Sequence, residues 1–249
     1  MLTNYYTLRL IAHDLHRRLA GSVLADMFTQ HKDELVVACA SETTEQYIII
    51  SCDPARNYLV LREEFPRAKK NSVDLFSELR GARLQDIQVH PTDRQVILRT
   101  DTDYKLIIQL FGPKANVLLV SDAEVRDAFL RRKDYVGQQL KDRKAPTSPK
   151  SPNELLAFLS ASKGELHAAL KRCFPQFGTE AVREMVYLTT LDPAAAAPGI
   201  TEEEAEKLFE AGRTIARLFD EQPAPRIYFD GGKAAAFSII PLKHLGRLR

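Results

Sequence analysis

Between residues 23 and 122 the chain repeats one pattern eight times: seven or eight residues rich in Val, Ile and Leu, then a break. The runs are VLADMFTQ (23–30), ELVVACA (34–40), QYIIISC (46–52), NYLVLRE (57–63), RLQDIQVH (83–90), RQVILRT (94–100), YKLIIQLF (104–111) and NVLLVSD (116–122). Turn signals such as His31-Lys32-Asp33, Asp53-Pro54, Asp101-Thr102-Asp103 and Gly112-Pro113-Lys114 punctuate them. Strands this short, mostly joined by tight turns, predict antiparallel sheets closed as a sandwich or a curled barrel. A helical period over SVDLFSELRGA (72–82) predicts one helix inside the series.

Helices flank this block. Residues 4–20 place Tyr5, Leu8, Ile11, Ala12, Leu15 and Leu19 on one face, with Asn4 in position to cap and Gly21 to stop the helix. From residue 123 the stretch EVRDAFLRRKDYVGQQLKDRKAPTSPKSP holds more bases than acids and ends in Pro and Ser, so residues 141–152 read as a linker. NELLAFLSA (153–161) follows, capped by Asn153, then KGELHAALKRCF (163–174). The turn PQFG leads into TEAVREMVYLTTL (179–191), with Thr179 as cap, and this pair has the dimensions of a helix-hairpin-helix. Residues 200–222 form a last long helix in which Thr201 and Glu204 make a capping box. Two strand-like runs around Asp230-Gly231-Gly232 read as a hairpin. The resulting division is a sandwich domain over 1–140, a linker over 141–152, a helical domain over 153–224 and a return hairpin over 225–249.

Several kinds of chemistry are not indicated. Lys and Arg number 35 against 33 Asp and Glu, so an anionic partner must be held by a local patch and not by a global field. Cys39, Cys52 and Cys173 are scattered, odd in number and without a CxxC spacing, which suits a reducing compartment. No leader or membrane-length apolar run is seen, and a cytoplasmic protein is expected. His13 and His16 lie near Asp14 without a third metal ligand, and two histidines on a helix surface account for them. No nucleotide-binding, hydrolase or calcium-binding motif is present, so no cofactor and no catalytic residue is expected.

The stretch HPTDRQVILRT (90–100) is different. From Gln95 onward it alternates, and just ahead of it a turn carries Asp93 beside Arg94. On the residues alone the pair is either turn chemistry, with Asp93 accepting turn amides, or a recognition element aimed at a partner.

Taken in order, these pieces resemble the N-terminal half of the NFACT family, whose bacterial members are the RqcH ribosome-quality-control proteins, many of them labelled fibronectin-binding protein A. QHKDELVV (30–37), IQVHPTDRQVILRT (87–100), IIQLFGPKANVLLVSDAE (107–124) and PRIYFDGGKAAAFSIIPLKHL (225–245) carry the likeness, by order and spacing. The resemblance implies an α+β fold: an antiparallel β-sandwich with flanking helices, like the N-terminal domain of formamidopyrimidine-DNA glycosylases, then a helix-hairpin-helix domain and a C-terminal hairpin leading toward a coiled coil. Glycosylase activity is not expected, because Met1-Leu2-Thr3-Asn4 offers neither the N-terminal proline amine nor its adjacent Glu. The resemblance also makes Asp93 and Arg94 a tRNA-associated signature, with both side chains expected at the surface. Arg131, Arg132 and Lys133 before the linker, and Lys163, Lys171 and Arg172 on the helix before the hairpin turn, would add RNA contacts, as would the amides at Gly178-Thr179. For each base the plain alternative is a solvated side chain. Implied partners are alanyl-tRNA and the large ribosomal subunit with a stalled nascent chain. A fibronectin-binding adhesin and a DNA-binding repair relative are the competing readings.

Overall fold

The structure, a computed structural model, describes residues 4–91, 93–110, 112–140, 148–221 and 223–247. Two compact units divide it: residues 7–140, and residues 4–6 together with 148–247.

The first unit is a β-sandwich. Its chain opens with α1 (Tyr5–Leu19), which buries Leu8, Ala12, Leu15 and Leu19 at three- and four-residue spacing. Strands β1 (Val23–His31), β2 (Glu34–Ala40), β3 (Glu45–Ser51), β4 (Tyr58–Arg62) and β5 (Val73–Asp74) form one sheet in the order β4-β3-β2-β1-β5. Strands β6 (Leu84–Val89), β7 (Gln95–Thr100), β8 (Lys105–Gln109), β9 (Asn116–Ser121) and β10 (Glu124–Ala128) form the other, in the order β10-β9-β8-β7-β6. Neighbouring strands run antiparallel throughout. Pleat alternation sends Leu35, Val37, Ile48 and Ile50 of one sheet, with Val96, Leu98, Leu106, Ile108, Val117 and Leu119 of the other, into a single core shared with α1. Each such side chain, fully withdrawn from water, contributes about 1.5–3 kcal/mol.

The outward faces are apolar too. Ile97, Ile107, Leu118 and Val120 gather Val125 and Ala128 on the second sheet. Phe28, Val36 and Ile49 on the first sheet are packed by Phe65 from the segment after β4. That segment is held down by Arg67, whose guanidinium lies 4.4 Å from the centre of the Phe28 ring and bonds Asp26 and Asp74. Arg80 reaches the same two carboxylates, at 2.6 and 3.4 Å.

One reading of this unit needs correction. Residues 72–82 are not a helix. Val73–Asp74 pair with Phe28 and Thr29 as an edge strand, and only Ser77–Leu79 make a short 3-10 turn. Backbone angles explain it: Asn71, Phe76 and Gly81 all have positive φ, so a helix cannot run through them, and the Leu75 amide bonds to Met27. At residue 123, where the composition changes, the chain turns back at once as β10 and then as the short helix α2 (Arg132–Tyr135). Of the proposed linker, residues 141–147 lie outside the described residues. The remainder ends in a helix start.

The second unit is helical. Helix α3 (Pro152–Ala161) is capped by Ser151, whose hydroxyl accepts from the Glu154 amide at 3.2 Å, and not by Asn153. Pro152, which donates no amide hydrogen, occupies the first helical position. Helix α4 (Leu166–Cys173) starts three residues later than its period suggests, because Gly164 has φ +91° and its carbonyl is taken by the Ala197 amide. Helix α5 (Gly178–Thr189) follows a four-residue turn, and α6 (Glu202–Glu221) begins with the Thr201–Glu204 box. Strands β11 (Arg226–Asp230) and β12 (Lys233–Ser238) close over the left-handed Gly231 and Gly232. No helix among the described residues is long and apolar enough to cross a membrane.

The chain's first described residues complete this unit. The Tyr6 ring stacks on Phe219 with centroids 4.1 Å apart. Asn4 caps α1 through a 2.9 Å bond from the Tyr6 amide, and its own amide donates to the Phe177 and Gln176 carbonyls. Gly178 makes room for it: φ is +76°, and a Cβ there would lie 2.7 Å from Asn4 Nδ2. Thr179, read as the cap of α5, is therefore inside the helix, which starts uncapped after Phe177. Gly178→Ala is expected to lose about 2 kcal/mol, from left-handed strain plus a displaced Asn4 hydrogen bond. In a double-mutant cycle with Asn4→Ala, measured by urea unfolding, only the second part should disappear.

Candidate nucleic-acid interface

The turn between β6 and β7 is bonded into its sheet at both ends. The His90 amide donates to the Gln95 carbonyl at 2.8 Å, and the Leu110 amide to the Arg94 carbonyl at 3.3 Å. Within the turn, Asp93 Oδ1 accepts the Arg94 amide at 2.9 Å. Asp93 and Arg94 are consequently half-buried and engaged, and not, as expected from sequence, fully at the surface. Thr92 between them and Pro91 lies outside the described residues.

Register shows what else is nearby. Gln95 pairs with Gln109, Gln109 with Asn116, and Leu118 with Ala128. The segments 90–94, 110–115 and 129–133 therefore share one end of the second sheet. Asn116 joins the last two. It is completely buried, its Nδ2 donates to the Leu130 carbonyl at 2.8 Å, and its Oδ1 accepts the Leu130 amide at 2.8 Å. Beyond that clamp Arg131 adopts φ +53°, with its guanidinium 5.6 Å from the centre of the Tyr135 ring. Arg132 Nε is 2.8 Å from Asp127 Oδ1, and Lys133 is exposed in α2.

The β1–β2 and β3–β4 loops share one end of the first sheet. Burial pushes the Cys52 thiol up to about 12, with Asp33 adding to the shift and Arg131 opposing it. Those loops surround an open cavity of about 370 Å3 lined by His31, Lys32, Asp33, Glu34, Ser51, Asp53, Arg56 and Tyr58. Lys32, Arg56 and the exposed Lys114 are bases that sequence reasoning passed over. Each stands in or beside a tight turn, a position readable as punctuation and only addressable to a site once the register is known.

The remaining bases lie elsewhere. Arg126, on β10, faces Glu124 at 3.1 Å and Asp122 at 3.8 Å. Lys171 and Arg172 end α4, but Lys163 precedes that helix instead of lying on it, and its carbonyl accepts from Arg172 at 3.3 Å. All three belong to the helical unit. The α5 start is a poorer anion cradle than the sequence suggests, since Glu180 lies in its first turn. His16 is paired with Asp86 at 3.1 Å, and among the described residues no group of three His, Cys, Asp or Glu could hold a metal. All three cysteines are buried and unpaired.

Comparison with known proteins places this architecture. A family model described as NFACT N-terminal and middle domains matches residues 4–248. The fibrinogen-binding protein from Staphylococcus aureus is similar over 98% of this chain and 92% of its own, with TM-score 0.74 and 15% identity. The N-terminal part of the fibronectin/fibrinogen-binding protein from Streptococcus suis is similar over 96% and 90%, with TM-score 0.67 and 15% identity. The N-terminal domain of fibronectin-binding protein PavA from Streptococcus pneumoniae also shares the fold, over 96% and 90%, with TM-score 0.52 and 16% identity. No curated protein matches.

Removing the clamp is expected to damage this end selectively. Asn116→Ala leaves the Leu130 amide and carbonyl without their partners, at a cost of about 2–4 kcal/mol. Urea unfolding measures the loss, and hydrogen exchange at Leu130 should accelerate more than exchange in β2 or β3.

Proposed function

This chain belongs to the NFACT family, and on that premise we propose that it is the tRNA-holding module of a ribosome quality-control factor. It engages the large ribosomal subunit carrying a stalled nascent chain and positions alanyl-tRNA for mRNA-independent tailing. Peptide-bond formation belongs to the ribosome, so the module supplies geometry and charge without a reaction centre or cofactor of its own.

The observation that carries this reading is the Asp93–Arg94 turn, set at the sandwich end that also bears Arg131, Arg132 and Lys133. A guanidinium offers a planar fork to a phosphate or a face to a base. The neighbouring carboxylate fixes the backbone from which that fork leaves, by holding the Arg94 amide. Half-burial favours the arrangement, because a partly desolvated fork loses less on binding than one free in water. Acids and bases alternate at this end, so affinity rests on a few placed contacts and not on a broad field.

A second reading, binding of fibronectin or fibrinogen, is favoured by the names of the three similar structures. Both readings meet the same experiment, with filter binding of tRNA at fixed salt run beside fibronectin capture. Arg94→Ala should weaken tRNA binding about tenfold or more, on the scale of one charge-assisted hydrogen bond. Arg94→Lys, which keeps the charge and loses the fork, should restore less than half of the lost binding free energy. Asp93→Asn keeps an amide acceptor and isolates the role of charge. Folded variants with unchanged tRNA affinity would return the pair to turn chemistry. Fibronectin capture without tRNA affinity would favour the second reading.

A further inference from the structure

The C-terminal segment of the helical unit is fastened to α5 by one imidazole set between two carboxylates. His244 lies in a 3-10 turn, Lys243–Leu245. Its Nδ1 is 2.7 Å from Glu184 Oε2 and its Nε2 is 3.2 Å from Glu180 Oε2, the two glutamates standing one helical turn apart. The His244 backbone amide donates to the same Glu184 oxygen at 3.0 Å. Glu184 is almost wholly buried, at 3% exposure, and the His244 side chain retains 12%.

Donor counting fixes the protonation state. A neutral imidazole has one N–H, so one of its two contacts would place a lone pair against a carboxylate oxygen. Imidazolium satisfies both. Nothing else at this spot needs a charge. The preceding residues are held without one, by buried Ile239, Ile240 and Leu242 and by the Leu242 amide donating to the Tyr228 hydroxyl at 2.6 Å.

We propose that the proton on His244 is a latch: when present it docks residues 243–247 on α5, and its loss frees that segment while the rest of the unit stays folded. The groups packed around it set the balance. On α5, Arg183 bonds the other oxygen of Glu180 at 2.9 Å, so its charge offsets part of that carboxylate's pull on the imidazolium and leaves the buried Glu184 as the stronger partner. Tyr187, also on α5, presents its ring 6.4 Å from the imidazole. On α4, His167 senses both Glu180 and Arg183 and is driven toward its neutral form by burial first and then by Lys171 and Arg183. The segment itself carries two cations, the exposed Lys243 and Arg247.

Linkage gives the direction. Burial lowers the His244 pKa, but the hydrogen bonds and charges of Glu184 and Glu180 outweigh it, and the net shift is upward. Docking is therefore complete below the ordinary imidazole range and is lost as pH rises through the docked value. Between the undocked and docked midpoints the docking constant falls about tenfold per pH unit. For Glu184 burial pulls upward, yet its bonds to His244 and Lys243 hold the net value down, which adds a second loss at acid pH as that carboxylate takes up a proton.

The test is a pH titration of the whole chain by histidine-ring NMR, with amide exchange followed at Lys243, His244 and Leu245. His244 should titrate above the ordinary imidazole range, and the three amides should lose protection along the same curve while Ile240 and Leu242 keep theirs. Glu180→Gln, at a partly exposed position, should move the His244 midpoint down. His244→Gln should abolish the pH dependence of the three amides. An ordinary midpoint for His244 overturns the latch, as does protection that ignores pH in the unmodified chain. Simultaneous loss of the Ile240 and Leu242 protection would overturn it equally, since the event would then be unfolding of the unit.

Discussion

A single buried amide sets the alignment on which the second sheet depends. Every residue of β9 is buried, and its two faces are almost equally apolar, so hydrophobic patterning alone does not distinguish one register from the next. Asn116 does. Shifted by one place, its amide would leave the Leu130 amide and carbonyl and enter an apolar face without partners, at a cost that no gain in packing repays. The strand is thereby fixed lengthwise, and with it the return through β10 and the placing of Arg131 to Lys133 beside the Asp93–Arg94 turn. The order of dependence is clear: an uncharged contact in the interior decides where charges stand at the rim.

Much of this fold is written locally. The eight apolar runs are strands because Val, Ile and Leu suit a pleated surface, and Gly and Asp punctuate them. The Thr201–Glu204 box and the Gly231-Gly232 hairpin need only neighbours a few residues away. Where the reading failed, a distant partner had prevailed. Residues 72–82 carry a helical period, but an open edge of β1 offered backbone bonds that a short helix could not match. Glu124–Ala128 is not among the expected strands, because only Val125 and Ala128 reach the apolar face, too few to announce one. Ser151 and Asn153 compete for one cap, and proline at position 152 settles it, since it must stand inside the first turn.

The candidate interface was legible in its residues and not in its surroundings. Asp93 and Arg94 are adjacent in sequence and need no fold to be noticed. Their half-burial follows from Leu110, sixteen residues on, whose amide ties the turn to the next one. Lys32, Arg56 and Lys114 come from three separate turns, and strand pairing is what assigns Lys32 and Arg56 to one end of the first sheet and Lys114 to one end of the second. A charge is visible in a sequence; a neighbourhood of charges is a property of register.

Tyr6 and Phe219 meet in one stack, although nearly the whole chain separates them. The Asn4 amide bonds a carbonyl 172 residues away. During synthesis the opening residues therefore emerge long before their seats exist, and the start of α1 stays frayed until α6 has been made. The helical unit borrows its last few pieces from the start of α1, so its completion waits on α6, and loss of the Phe219 ring would leave that opening turn without its stack.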